Sequence, residues 1–174
     1  MRYFRILSNE KIPQPRFKNW YRMVPPGRWE DKKTYEELGR WNSVSVEMEP
    51  EMPFMDLIIH PLFMVSGELA NLIRVYYPGI RFKYMMLHNE RNRQSAVFQI
   101  PDLMEVDCLT GDCELSRDKR EVLTKVLSKE KIRNVPIFRL GGVQGRYIMA
   151  NMGFVESAYR REVMGMRVEE FRVE

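Results

Sequence analysis

Hydrophobic and polar positions alternate most cleanly at the end of the chain. There Met166, Val168, Phe171 and Val173 are set among Arg167, Glu169, Glu170 and Arg172, the period of a half-buried strand. Just before, Val155, Ala158, Tyr159 and Glu162 recur at helical spacing within residues 153–163, and Gly165 stands where a left-handed C-terminal cap is wanted. Upstream again, the apolar runs 137–140 and 146–150 flank Gly141, Gly142 and Gly145. Three glycines between two such runs predict a hairpin.

The same reading runs through the rest of the chain. Residues 2–7 read as a first strand, after which Pro13, Pro15, Pro25 and Pro26 forbid any long element before Asp31. A short helix is expected over 31–38. Residues 44–53 alternate and then turn acidic. Pro61 divides the apolar stretch 56–65 into a short helix or strand ending at His60 and a buried approach to Ser66. Ser66 is an N-cap for a helix whose stripe is Leu69, Leu72, Ile73 and Tyr76, and Pro78-Gly79 stops it. Strands are expected over 80–87 and 95–100, joined by a polar turn at 90–93, and 101–107 reads as a loop. Val122, Val126 and Leu127 at helical spacing predict a surface helix over 116–131.

Two stretches resemble each other: Gly79-Ile80-Arg81-Phe82-Lys83 after the first long helix and Gly165-Met166-Arg167-Val168-Glu169 after the second. The helix sequences do not match, which favours one capping solution used twice over a true repeat. Two helix-to-strand units imply an α+β fold, a mainly antiparallel sheet with helices packed on one face. At 174 residues the chain reads as a single domain, with 1–41 a basic aromatic arm on or beside a 42–174 core.

Charge sharpens that division. Of the formal +4, ten basic residues against five acidic ones lie in 1–41, so the remainder is near neutral. The arm also holds Trp20, Trp29 and Trp41, which either stack on bases or pin the arm to the domain. No apolar run approaches the ~20 residues of a spanning helix, and Met1-Arg2-Tyr3-Phe4-Arg5 leads into no signal-peptide core; the chain reads as cytoplasmic. Cys108 and Cys113 agree with a reducing compartment, and their C-x4-C spacing is not that of a zinc site.

Catalytic signals are thin. Glu47, Glu49 and Glu51 alternate but lack the turn and further oxygens of a cation loop, so no metal is expected. His60 and His88 stand without partners in sequence, no nucleophile elbow or H-E-x-x-H is present, and residues 141–145 lack the Lys-Ser/Thr ending of a phosphate loop. No cofactor is expected. The densest constellation is Glu156, Arg160 and Arg161: the first two are spaced i and i+4, and the arginines offer either a grip on a carboxylate or phosphate or a complement to the helix dipole.

Six segments in order carry a family likeness: Phe54-Met55-Asp56-Leu57-Ile58, Pro61-Leu62-Phe63-Met64-Val65-Ser66, Tyr77-Pro78-Gly79-Ile80-Arg81-Phe82-Lys83, Val106-Asp107-Cys108-Leu109, Ile137-Phe138-Arg139-Leu140 and Glu156-Ser157-Ala158-Tyr159-Arg160-Arg161. Together, over residues 52–173, they resemble the bacterial family of small proteins similar to immunity protein eleven of polymorphic toxin systems. The resemblance implies an intracellular α+β protein that binds a cognate toxin or another protein and performs no chemistry. It leaves the first fifty residues unexplained. The expected function is therefore non-enzymatic protein–protein recognition, with Arg160, Arg161, Glu156, Trp20, Trp29 and Trp41 as candidate binding residues. Two alternatives stand beside it: nucleic-acid binding through the basic arm, and a hydrolase-type enzyme built on scattered carboxylates and a histidine. A homodimer through an exposed C-terminal edge strand is also open.

Overall fold

The structure, a computed structural model, describes residues 1–23, 32–132 and 134–174. In chain order the elements are β1 (Tyr3–Ser8), β2 (Arg16–Phe17), a turn of 3-10 helix (Trp20–Arg22), α1 (Lys32–Glu37), β3 (Trp41–Glu47), β4 (Leu57–Ile58), β5 (Met64–Val65), α2 (Gly67–Tyr76), β6 (Phe82–Asn89), β7 (Ser95–Pro101), β8 (Glu105–Val106), β9 (Val126–Leu127), β10 (Ile137–Leu140), β11 (Ile148–Asn151), α3 (Met152–Arg160) and β12 (Met166–Val173). The fold is mixed α and β, mostly sheet with few helices. The strands make two curled six-stranded sheets, in the orders β2-β3-β6-β7-β5-β4 and β8-β10-β11-β1-β12-β9. No helix among the described residues is long and apolar enough to cross a membrane.

The two sheets are the same design used twice. In one, the hairpin β4–β5 leads through α2 to β6, and β7 lies between β5 and β6, antiparallel to both; β3 runs parallel on the far side of β6. In the other, the hairpin β10–β11 leads through α3 to β12, and β1 lies between β11 and β12, antiparallel to both; β9 runs parallel on the far side of β12. Each unit is a strand–helix–strand crossover with a reversed strand filling the gap. The likeness around Gly79 and Gly165, both at φ +83°, is therefore the local trace of a duplicated topology and not merely a shared cap. The second unit differs in two respects: its middle strand comes from the N-terminal stretch, and its sixth strand, β8, is added beside β10, whereas the first unit adds β2 beside β3.

Three apolar clusters hold this together. The central one joins both sheets and both long helices: Phe4, Ile6, Ile148 and Ala150 from one sheet, Leu57 and Val65 from the other, with Leu69, Leu72 and Ile73 of α2 and Phe154, Val155 and Ala158 of α3 between them. α2 packs on α3, β5 and β7, while α3 packs on β11 and β1. Each sheet buries its other face separately. Val44, Val46, Met85, Leu87, Phe98 and Ile100 meet α1 and the arm residues Phe17 and Trp20, whereas Tyr3, Phe138, Met149 and Phe171 meet residues 106–135.

Local signals placed most elements. Ser66 Oγ accepts from Leu69 N–H and Asn151 Oδ1 from Phe154 N–H, capping α2 and α3. Residues 56–65 take the strand alternative, as β4 and β5 on either side of a cis His60–Pro61 bond. The loop expected over 101–107 carries the short strand β8.

Three expectations are corrected. Residues 116–131 form no helix. Ser116 Oγ accepts from Glu121 N–H, Asp118 Oδ1 accepts from Arg120 N–H, Lys119 sits at φ 55°, and Leu115 bridges Val122. These side-chain bonds compete with a helical backbone, and the parallel pairing of β9 with β12 takes Val126 and Leu127. The apolar face of α3 is Phe154, Val155 and Ala158; Tyr159 is 49% exposed, and Glu162 is exposed too. Glu162, not Gly165, takes the left-handed position at the end of α3, with φ 54°. Its N–H reaches Tyr159 O and Val163 N–H reaches Ala158 O, the paired closure of a Schellman motif.

Candidate interaction surface

Strands β3, β6 and β7 run side by side, with Trp41 opposite Tyr84 and Tyr84 opposite Gln99, then Ser43 opposite Met86 and Met86 opposite Val97, then Ser45 opposite His88 and His88 opposite Ser95. Because successive side chains alternate across a sheet, the residues between these point into the core against α1 and the arm, and Trp41, Tyr84, Met86 and Val97 share the other face. α2 covers one end of that face. Its Arg74 donates to Gln99 Oε1 at 2.5 Å and places its guanidinium 4.3 Å from the Phe82 ring centroid.

Beyond α2 the face is open among the described residues. Trp41 is 58% exposed, Val97 44% and Met86 40%. The Trp41 and Tyr84 rings stack at 4.5 Å and 17°. Aromatic pairs held this way are rigid, so the surface is preorganised at small entropic cost. The far end is polar: His88 Nδ1 lies 2.7 Å from Ser95 Oγ, and Lys18 bridges Glu47 and Glu90 at 2.8 and 2.6 Å. Arg16 also pairs with Glu47. Hydrogen bonds from Lys18 and then Arg16 hold the Glu47 carboxyl down to about 2, and Lys18 likewise lowers Glu90.

The second unit provides an internal comparison. Aligning Gly165 with Gly79 sets Met166 and Val168 on Ile80 and Phe82, all packed on the central core, and buried Phe171 on buried Met85. Glu170 then stands where the first unit has Tyr84, and Arg172 where it has Met86. Across the register, Phe4 matches Gln99 and Arg2 matches Val97. Arg2 and Glu170 are joined by two hydrogen bonds of 2.6 and 2.7 Å. One unit thus finishes this face with a solvated ion pair, and the other finishes it with four apolar or aromatic side chains.

The structure brings the sequence-predicted residues together only in part. Trp41 lies on the open face. Trp20 is half-buried, packs against the core beside α1 and meets Tyr21 edge to face at 6.4 Å. Trp29 lies outside the described residues. Glu156, Arg160 and Arg161 sit exposed on and just after α3, and no ion pair joins Glu156 to Arg160 among the described residues. Arg161 Nη1 donates to Ser157 O, and its Nε lies 3.9 Å from Glu68 of α2. Tyr84, Met86 and Val97 escaped sequence reasoning. Met86 and Val97 fall out of phase with the buried Met85, Leu87 and Phe98, a signal visible only once the register is known.

Elsewhere both thiols and one histidine are biased toward their neutral forms. Burial pushes the Cys108 thiol up to about 12 and raises Cys113, which donates to Thr124 O. His60, exposed at its outer edge, is lowered by desolvation, then by Arg146 and Arg5, with its Nδ1 3.0 Å from Arg146 Nη1. Arg146, 8% exposed, also donates to Ile59 O and Pro61 O. It borders a largely apolar cavity of about 40 Å³ that also touches Leu62, Phe63 and Ile148, room for a few waters and no metabolite. Among the described residues no three His, Cys, Asp or Glu side chains converge to hold a metal. No protein-family model and no curated protein matches this sequence.

Proposed function

We propose that this protein works by protein–protein recognition without catalysis, and that the open face around Trp41, Tyr84, Met86 and Val97 is its principal contact surface. One observation carries the reading: Trp41, Met86 and Val97, 40–58% exposed, share one sheet face with Tyr84, where the second unit carries Arg172, Arg2 and Glu170 at the positions equivalent to Met86, Val97 and Tyr84. A rigid aromatic pair flanked by flexible methionine is the composition of an interface centre. On this reading the chain is one α+β domain, mainly antiparallel, whose two long helices share the central side of the sheets while α1 lies on the outer side of the first. The partner that the family resemblance implies is a cognate bacterial toxin, with neutralisation as the outcome. Arg160 and Arg161 form a separate exposed basic pair suited to steering an acidic partner.

Nucleic acid is less well served. The arm residues Arg16 and Lys18 are engaged by Glu47 and Glu90, and Arg2 by Glu170, so these charges are already neutralised. The test is affinity capture from the native host with the wild type and a Met86→Asp/Val97→Asp variant, washed at low and high salt, with partners identified by mass. A single stoichiometric protein should survive high salt on the wild type and be lost from the variant, a fall in affinity of about 30-fold or more for an interface centre. Equal recovery on both proteins, or nucleic acid that washes off with salt, would overturn the reading.

A further inference from the structure

The outer edge of β3 is half covered. β2 pairs with its far end, Arg16 opposite Glu47 and Phe17 opposite Val46, and Lys18 N–H bonds Ser45 O at 2.9 Å. There β2 leaves the sheet, with Asn19 at φ 52° and a 3-10 turn following. Arg40 O and Val46 O accept from β6, so the even-numbered residues face inward and Trp41, Ser43 and Ser45 face outward. The N–H and C=O groups of Trp41 and Ser43 accordingly have no partner among the described residues.

Exposed edges are normally guarded by charge, proline or shortness. β8, β9, β2 and β4 are each two residues long, and the edge of β12 beyond β9 carries Arg167, Glu169 and Glu170. The stretch Trp41-Asn42-Ser43-Val44 carries none of these guards.

We propose that a second copy of this chain pairs with that edge, antiparallel, about a two-fold axis through Asn42. Trp41 of each copy then stands opposite Ser43 of the other, and the four hydrogen bonds made use all the outward backbone groups of Trp41 and Ser43 that lack a partner among the described residues, with none left over. A large side chain meets a small one on the open face. In each copy Asn42 Nδ2 bonds Gly39 O at 2.9 Å, so the chain bends away before it reaches the place Lys18 occupies opposite Ser45. The axis stands perpendicular to the sheet. Both Trp41–Tyr84–Met86–Val97 faces therefore lie on one side and merge into a single apolar surface across the joint. This goes beyond the recognition reading, since a monomer can present the same face to a partner.

Sedimentation equilibrium on the full chain decides it, comparing the wild type with Ser43→Pro, which removes an outward N–H at an edge position where proline is tolerated, and with Trp41→Lys, which leaves the backbone intact. The wild type should show twice the 20.9 kDa of one chain at tens of micromolar. Both variants, folded by circular dichroism, should dissociate at least about 100-fold more readily, the usual reach of interface-centre substitutions. If Ser43→Pro fails to fold, Trp41→Lys alone carries the comparison. A wild type of single-chain mass throughout, or a dimer that Trp41→Lys leaves unchanged, as pairing through β7 or β12 would give, overturns the proposal.

Discussion

Arg146 shows how much one side chain can be asked to do. A buried guanidinium is tolerable only when its donors are met, and here Ile59 O, Pro61 O and His60 Nδ1 meet them. It thereby clamps the β4–β5 hairpin of one unit from the β10–β11 loop of the other. His60 is lowered from its ordinary 6.5 first by desolvation of the part of its ring packed against the protein, and then because protonation would place a second cation against the buried Arg146, although the ring's outer edge is exposed. The sign follows: between the lowered folded value and about 6.5 the unfolded chain binds the extra proton, so stability is full above that window and falls as pH drops through it. In chemical denaturation, the loss between pH 7.5 and 5.5 should be smaller in His60→Asn than in the wild type. An equal loss in both would show that His60 titrates freely in the fold.

At the scale of elements, α3 ends on a residue that pays a conformational penalty. Glu162 holds φ 54°, a region that costs an L-residue about 1 kcal/mol and costs glycine almost nothing. Its exposed side chain makes no hydrogen bond or ion pair among the described residues, and Glu162→Gly should stabilise the fold by about 0.5–1 kcal/mol, read as a rise in the denaturation midpoint. The sequence pointed to Gly165 for this role because glycine is the stronger signal. The actual stop lies three residues earlier, set by where Val163 is buried. The same contrast explains what was legible. Strands β1, β6, β7 and β12 and both capped helices announced themselves by local period and capping residues. Residues 116–131 did not, because their pairing partners are Tyr147 and β12, far away in the chain. The open face was hidden for a related reason: Trp41, Met86 and Val97 become neighbours only through the β3–β6–β7 register.

At the scale of the molecule, the duplication makes a prediction about connectivity. β7 follows β6 directly as a hairpin in the first unit, whereas β1, its counterpart, is joined to β12 by nothing but hydrogen bonds from Tyr3↔Phe171 to Ser8↔Met166. A permuted chain in which residues 1–8 follow Glu174 through a short loop should restore the hairpin and keep the fold. Its refolding should be faster, by roughly tenfold, because a contact of very long sequence separation becomes local. Stopped-flow refolding of the two chains makes the comparison; a permutant that fails to fold would show that the two units are alike in outline alone.

The position of β1 also bears on the protein's birth. Among the described strands β1 is made first, and its neighbours β11 and β12 are made after all but α3 of the other elements. Until β12 has been made, Tyr3, Phe4 and Ile6 must wait without their sheet, while the first unit, complete by Pro101, can already fold behind them. An apolar strand thus stays unclaimed through more than 140 residues of further synthesis, and the second sheet closes only when the chain folds back to recover it.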